Sequence, residues 1–265
     1  MKSFSGAIGY VLVAFFLYIA VTKVSTNPQL FMNMHGIGIV VGGLIVAAIA
    51  SFPHTVLYGA LKSVWRSMTP MSQVDPDAAS QTVAIGAAYQ KGLTEVEKES
   101  AKISHPFLSQ AVALVLEGLN SATIMDILNK RIEEKRVQIN TQMNVMLTLS
   151  KYSPALGLAA TVLGLVDLLG QLESADMVKL GYGMAIALSA TFYGIVLSNL
   201  VFAPLSEMIN STGEIETKEM EMIREGIQAG LEGKHALIVG EIVNSYLDEG
   251  KRVDFINNLQ VKKSA

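Results

Sequence analysis

Cysteine is absent from this chain, which excludes a disulfide framework, thiolate catalysis and cysteine-based zinc sites. The four histidines, His35, His54, His105 and His235, stand far apart. None sits with a carboxylate at metal-ligand spacing, so neither a metal nor any other cofactor is expected. Charge is also scarce. Only 16% of the 265 residues are charged, against about 25% in soluble domains. The net charge of −3, without any basic tract, argues against nucleic acid as a partner. No nucleophile stands with a base and no phosphate loop is present, so an enzyme is not expected. No strand alternation persists, and no internal repeat or low-complexity linker is present.

The missing charge is concentrated. It leaves four apolar stretches at roughly 4–22, 36–53, 154–172 and 181–204. A helix needs about 20 mostly apolar residues to cross a bilayer core. The composition, 51% hydrophobic, therefore predicts an all-α membrane protein with four transmembrane helices. Residues 1–53 hold the first two spans, 54–150 a helical loop, 151–204 the last two spans, and 205–265 C-terminal helices. The first apolar run follows Lys2 as in a signal peptide, but it is long, lacks a small-residue exit and is followed by Lys23. An uncleaved span is favoured.

Lysine and arginine mark the cytoplasmic side of a membrane protein. The connection between the second and third apolar stretches, counted through Lys151, holds ten basic residues and the tail after 204 holds seven. The two other connections hold one each, Lys23 and Lys179. Loop, tail and both termini are therefore expected in the cytoplasm. In the loop, Asp75 and Pro76 form a helix start. The stretch "HPFLSQAVALVL" has helical spacing and meets stop signals at Gly118 and Asn120. A long helix capped by Ser121 is expected to run to the membrane, and a tail helix from Leu205 is expected to end at Gly233.

The spans themselves are uneven. The first is bulky and aromatic, "YVLVAFFLYIAV", as suits a lipid-facing helix. The third contains Pro154, Gly157, Thr161, Gly164 and Asp167, and the fourth carries Gly183, Ala187, Thr191, Gly194 and Ser198 at intervals of three or four. Small residues let helix backbones approach in a membrane. Two readings stand: tight packing within the chain, or a surface on which a partner sits or moves. A threonine hydroxyl can bond back to its own helix or offer its oxygen to an ion. Pro154 and Pro204 each fall at a membrane boundary, as a helix start or a kink. Asp167 is the only carboxylate inside a span, and it lies near the outer end. An intramembrane acid is a functional candidate by default, and a solvated mouth residue is the other reading. The spans hold no acid or base at mid-membrane, so an essential acid is expected from a partner.

The segments "SPALGLAATVLGLVDLL" and "GMAIALSATFYGIVLSNLVFAPL" resemble the third and fourth spans of the flagellar stator A subunits of MotA/PomA type. Pro154, Ala155, Gly157, Thr161, Val162, Gly164 and Leu165 match the first pattern, and Gly183, Ala185, Ala187, Leu188, Thr191, Tyr193, Gly194, Asn199, Phe202 and Pro204 the second. The second span and the loop helices are similar as well. The resemblance implies a homo-oligomer, a pentamer, around B-subunit helices of MotB/PomB type. Each such helix crosses the membrane once and carries an aspartate.

It implies further that H+ or Na+ passes along the B-subunit interface at Pro154, Gly157, Thr161, Gly164, Ala187, Thr191 and Gly194, and Asp167 joins this set as the acid within the third span. It implies a lipid-embedded location in the bacterial inner membrane. The cytoplasmic loop is then expected to push a rotor switch-ring protein of the FliG type, through Lys91, Glu97, Lys98 and Glu99. A solvated helix face is the alternative for that cluster. Departures from the pattern are Ala160, Ala190, Asp167, Tyr89 in an arginine slot, and Asn33 where sodium-driven members often carry an acid. The last favours the proton. Related energisers of ExbB/TolQ type, usually with one span before the loop, and a non-rotating scaffold or channel are the alternatives.

Overall fold

The structure is a computed structural model, which describes residues 5–24, 31, 33–68, 73–171 and 177–252. The outer connections expected around 25–30 and 172–176, and the end of the tail beyond 252, lie outside the described residues. The described residues are helical throughout. In chain order they form α1 (Ser5–Val24), α2 (Met34–Ser51), α3 (His54–Ser67), α4 (Pro76–Tyr89), α5 (Leu93–Ser100), α6 (Pro106–Leu116), α7 (Ser121–Gln171), α8 (Met177–Val196), α9 (Ala203–Leu231) and α10 (Ala236–Asn244). A π-helical segment, Leu197–Phe202, joins α8 to α9.

Local chemistry accounts for the helix limits. Asp75 accepts a hydrogen bond from the Asp77 amide, and Pro76 occupies the first turn of α4. His105 does the same for α6, its Nδ1 accepting from the Leu108 amide ahead of Pro106. α6 ends before Gly118 and α9 before Gly233, both at positive φ, which glycine adopts without a Cβ clash. One expectation shifts by a residue. Asn120, not Ser121, caps α7, its side-chain oxygen 2.8 Å from the Thr123 amide. An amide oxygen one position earlier reaches the third amide of the helix, which is where a cap must reach.

The prolines break nothing. α7 continues through Pro154. Pro204 is the second residue of α9, directly after the π segment. A proline ring clashes with the carbonyl four residues back, and the wider π turn, closed by the Ala203 amide bonding Ser198, relieves that clash.

Among the described residues, three stretches are long and apolar enough to cross a membrane: Met34–Ser51, and windows within Ser121–Gly170 and Leu180–Leu231. The apolar part of α1, Ile8–Lys23, is shorter. The chain divides into two compact bodies. One comprises residues 2–70 and 139–211 and holds α1–α3 and α8 with parts of α7 and α9. Its core gathers Val40, Leu44, Ala60, Val145, Ala160 and Ala190.

The other body comprises residues 71–138 and the chain from 212 onward. It packs α4, α5, α6 and α10 with the adjoining parts of α7 and α9, around Leu108, Ile124, Leu128, Met222, Ile223 and Val239. In this second body α4 and α9 touch at backbone distance. A Cβ on Gly230 would lie 3.0 Å from the Gly86 Cα, and one on Gly226 would overlap the Thr82 methyl. We expect Gly226→Val to force α4 off α9. The overpacking costs about 1–3 kcal/mol, and limited proteolysis of the detergent-solubilised chain should show faster cleavage within 73–89.

Candidate functional site

The late apolar helices meet through small residues. α7 presents Gly157, Thr161 and Gly164 along one face, and α8 presents Gly183, Ala187, Thr191 and Gly194, followed by Ser198 in the π segment. Spacings of three and four keep each set on one side of its helix. The contact is between backbones. A Cβ on Gly157 would lie 2.9 Å from the Ala190 carbonyl oxygen, and one on Gly194 only 2.6 Å from that of Ser153. A Cβ on Gly164 would meet the Ala187 methyl at 3.0 Å, and one on Gly183 the Leu168 side chain at 2.9 Å. Gly157, Gly164, Ala187 and Gly194 are thus spoken for by packing within the chain. Pro154 joins the same seam, its Cα 3.3 Å from the position of a Cβ on Gly194.

The two threonines face each other across this seam. The Thr161 hydroxyl lies 3.0 Å from the carbonyl of Gly157 and 2.9 Å from that of Ala187, and it touches the Thr191 hydroxyl. The Thr191 hydroxyl also lies 3.5 Å from the Gly157 carbonyl. Both residues are half-buried. A hydroxyl donates one proton, so two hydroxyls cannot serve every oxygen around them at once. The result is an uncharged cluster of four oxygens with lone pairs to spare. Such a cluster can pass hydrogen bonds or help to solvate a cation. It cannot hold a proton as a carboxylate does.

Asp167 is not part of that cluster. Six residues beyond Thr161, it projects from a different side of α7 and is exposed, while its neighbour Leu168 packs on Gly183. Pro204 lies beyond the π segment, away from the hydroxyl pair along the chain. The expected rotor-facing residues lie in the other body. Lys91, Glu97 and Lys98 are exposed, and Glu99 is half-buried. Gly92, at φ +113, turns the chain into α5 between Lys91 and the glutamates. Lys98 pairs with Glu95 at 3.1 Å and Glu99 with Lys102 at 2.7 Å. Such pairs, each with a solvent-exposed lysine, contribute little to stability.

Ser150, Ser153 and the partners of Ser198 and Asn33 are not marked by any local sequence pattern. Ser150 lies four residues before Pro154, so its carbonyl lacks the usual amide donor. Its hydroxyl meets that of Ser198 at 3.1 Å. The Ser153 hydroxyl donates to the Leu149 carbonyl at 2.8 Å. Asn33 is buried and caps α2, accepting from the amides of His35 and Gly36 at 3.0 and 3.4 Å. Its own amide donates to the Tyr193 hydroxyl at 3.1 Å, and that hydroxyl donates to the Phe31 carbonyl. Position 33 therefore has a structural duty in addition to any bearing on the ion. Asparagine before an apolar run was a cap signal, but Tyr193 is 160 residues away, and no local pattern reveals that pairing.

Packing and hydroxyl chemistry separate experimentally. We expect Gly194→Leu to abolish stable membrane assembly, because the new side chain collides with the Ser153 carbonyl. Gly170→Leu, where a Cβ meets nothing within 4 Å, should leave it unchanged. The yield of monodisperse protein extracted from membranes checks both.

Known proteins share the sequence pattern and the fold. Residues 99–222 match the model of the MotA/TolQ/ExbB proton channel family. The chain is 27% identical over 223 residues to the chemotaxis protein PomA of Vibrio alginolyticus, covering 84% of this chain and 87% of that one. It superposes on the structure of C. jejuni MotAB with a TM-score of 0.84 at 20% identity, covering 93% of this chain and 96% of that one. The flagellar MotAB stator complex from Bacillus subtilis gives a TM-score of 0.82 at 21% identity, covering 94% and 98%. The fold is therefore MotA-like. The chain is a multi-pass membrane protein by its long apolar helices, and its residues 99–222 are similar to the MotA/TolQ/ExbB proton channel family.

Proposed function

We propose that this chain is the A subunit of an ion-driven flagellar stator. In this reading it crosses the bacterial inner membrane four times, with α1 as the first span and with the loop, the tail and both termini in the cytoplasm. Copies of the chain, five by the resemblance, surround B-subunit helices that each carry an aspartate. An ion moving between that aspartate and the A ring turns the ring. The residues around 91–99 push the switch ring of the rotor.

The observation that carries this reading is the facing pair Thr161 and Thr191 on a seam of backbone contacts. An oxygen cluster without charge suits a transient ion path whose acid is supplied by another chain. Tight seams on both sides of it suit a rigid wall that turns as one piece. The alternative of an ExbB/TolQ-like energiser keeps the same channel chemistry. It has less support, because two apolar helices, α1 and α2, precede the loop. The proton is favoured over sodium because Asn33 is uncharged, and Asp167 is read as a residue of the outer mouth.

Two measurements test this. Deleting the gene and restoring it should abolish and recover swimming, with speed independent of sodium and collapsed by a protonophore. Speed that tracks sodium overturns the choice of ion, and unchanged swimming in a strain with no second stator overturns the flagellar rotor. Thr161→Val and Thr191→Val each keep the side-chain shape and remove the hydroxyl. We expect either variant to assemble normally and to lose motility. Normal torque in both would remove the threonine pair from the ion path.

A further inference from the structure

The helix α3 has two faces of different character. Its inner face, Ala60, Ser63 and Ser67, is buried in the body of residues 2–70 and 139–211, the membrane-type body, where a Cβ on Gly59 would meet Gln142 at 3.2 Å. The opposite face carries Tyr58, Leu61 and Trp65, which are 72%, 64% and 80% exposed. These three recur at intervals of three and four and form one apolar stripe. Lys62 and Arg66 lie four apart along one edge of that stripe, and α3 contains no acidic residue.

Several observations identify the medium this stripe meets. A contiguous apolar patch on a helix surface marks an interaction site rather than a water-facing one. At 14 residues α3 is about 21 Å long, too short to cross a bilayer. It follows the membrane-crossing helix α2 after only Phe52 and Pro53, both in extended conformation, which turn the chain into a new helix at the end of the span. Tryptophan and tyrosine concentrate at the boundary between headgroups and acyl chains. An amphipathic helix with an aromatic apolar face and a basic edge lies in that boundary.

We propose that α3 lies in the membrane interface with Tyr58, Leu61 and Trp65 at acyl-chain level, and that Lys62, with Arg66 beside it, recognises anionic phospholipid headgroups. The occupant of this face is the lipid leaflet and not a second copy of the chain. The absence of any acid on α3 makes its edge complementary to an anionic surface, on which each basic residue contributes about fivefold in affinity. The inference depends only on the chain crossing a membrane and is independent of what the ion path drives.

Trp65 is the only tryptophan in the sequence and reports on this face directly. The full chain is reconstituted in phosphatidylcholine vesicles containing equal mole fractions of either brominated phosphatidylcholine or brominated phosphatidylglycerol. Both should quench Trp65 emission, with the glycerol lipid preferred by about fivefold or more. Lys62→Glu should remove the preference and keep the quenching, and Lys62→Arg should retain both. Absence of quenching means that protein covers the stripe and overturns the proposal. Equal quenching by the two lipids, or a preference untouched by Lys62→Glu, overturns the headgroup assignment.

Discussion

Backbone contact between α7 and α8 is the constraint on which the membrane-type body depends. In hydrocarbon, helices gain nothing by hiding apolar surface from one another, because lipid is equally apolar. What remains is close packing and hydrogen bonding. Gly157 and Gly194 let the two helices approach to backbone contact, and Gly164 and Gly183 leave room for the Ala187 methyl and the Leu168 side chain. A helix made of leucine and valine could anchor the chain but could not make this contact.

The same closeness creates the polar cluster. Thr161 reaches the carbonyl of Ala187 on the other helix only because no bulky side chain intervenes. Thr161 also bonds back to Gly157 on its own helix, as Ser153 does with Leu149. Seam and cluster are therefore one design feature seen at two scales. The π segment before Pro204 belongs to it as well. It lets α8 continue into α9 without a break, and it places Ser198 against Ser150.

The other body solves a different problem by ordinary means. It buries Leu108, Leu128 and Met222 in a helical core in which hydrophobic burial supplies the driving force. Its surface carries the charge that the spans lack, largely as pairs such as Lys135 with Glu216 and Arg136 with Glu221. A buried carboxylate, Glu219, is met by His105 at 3.0 Å, which ties the start of α6 to α9. Helices with apolar surfaces and helices with charged surfaces thus coexist in one chain.

Much of this was legible from the residues in order. Asp75 with Pro76, Gly118 and Gly233 act within a few residues of their own positions, so the helix limits they set could be read locally. The apolar stretches were legible for the same reason, since hydropathy is summed along the chain. The cap at Asn120 was read one residue late, because Ser121 and Asn120 are both capping residues and only geometry distinguishes them.

Tertiary structure alone decided what each small residue touches. The stripe on α8 was visible, but whether Gly157 and Gly194 faced a partner or each other was not, because spacing fixes a face and not its neighbour. Asp167 shares a span with Thr161 and yet projects elsewhere, and Asn33 meets Tyr193 from 160 residues away. By itself the sequence determined which segments are helical and which are apolar, since those depend on near neighbours. Which oxygens converge depended on how antiparallel helices register, and that is set by the sum of many distant contacts.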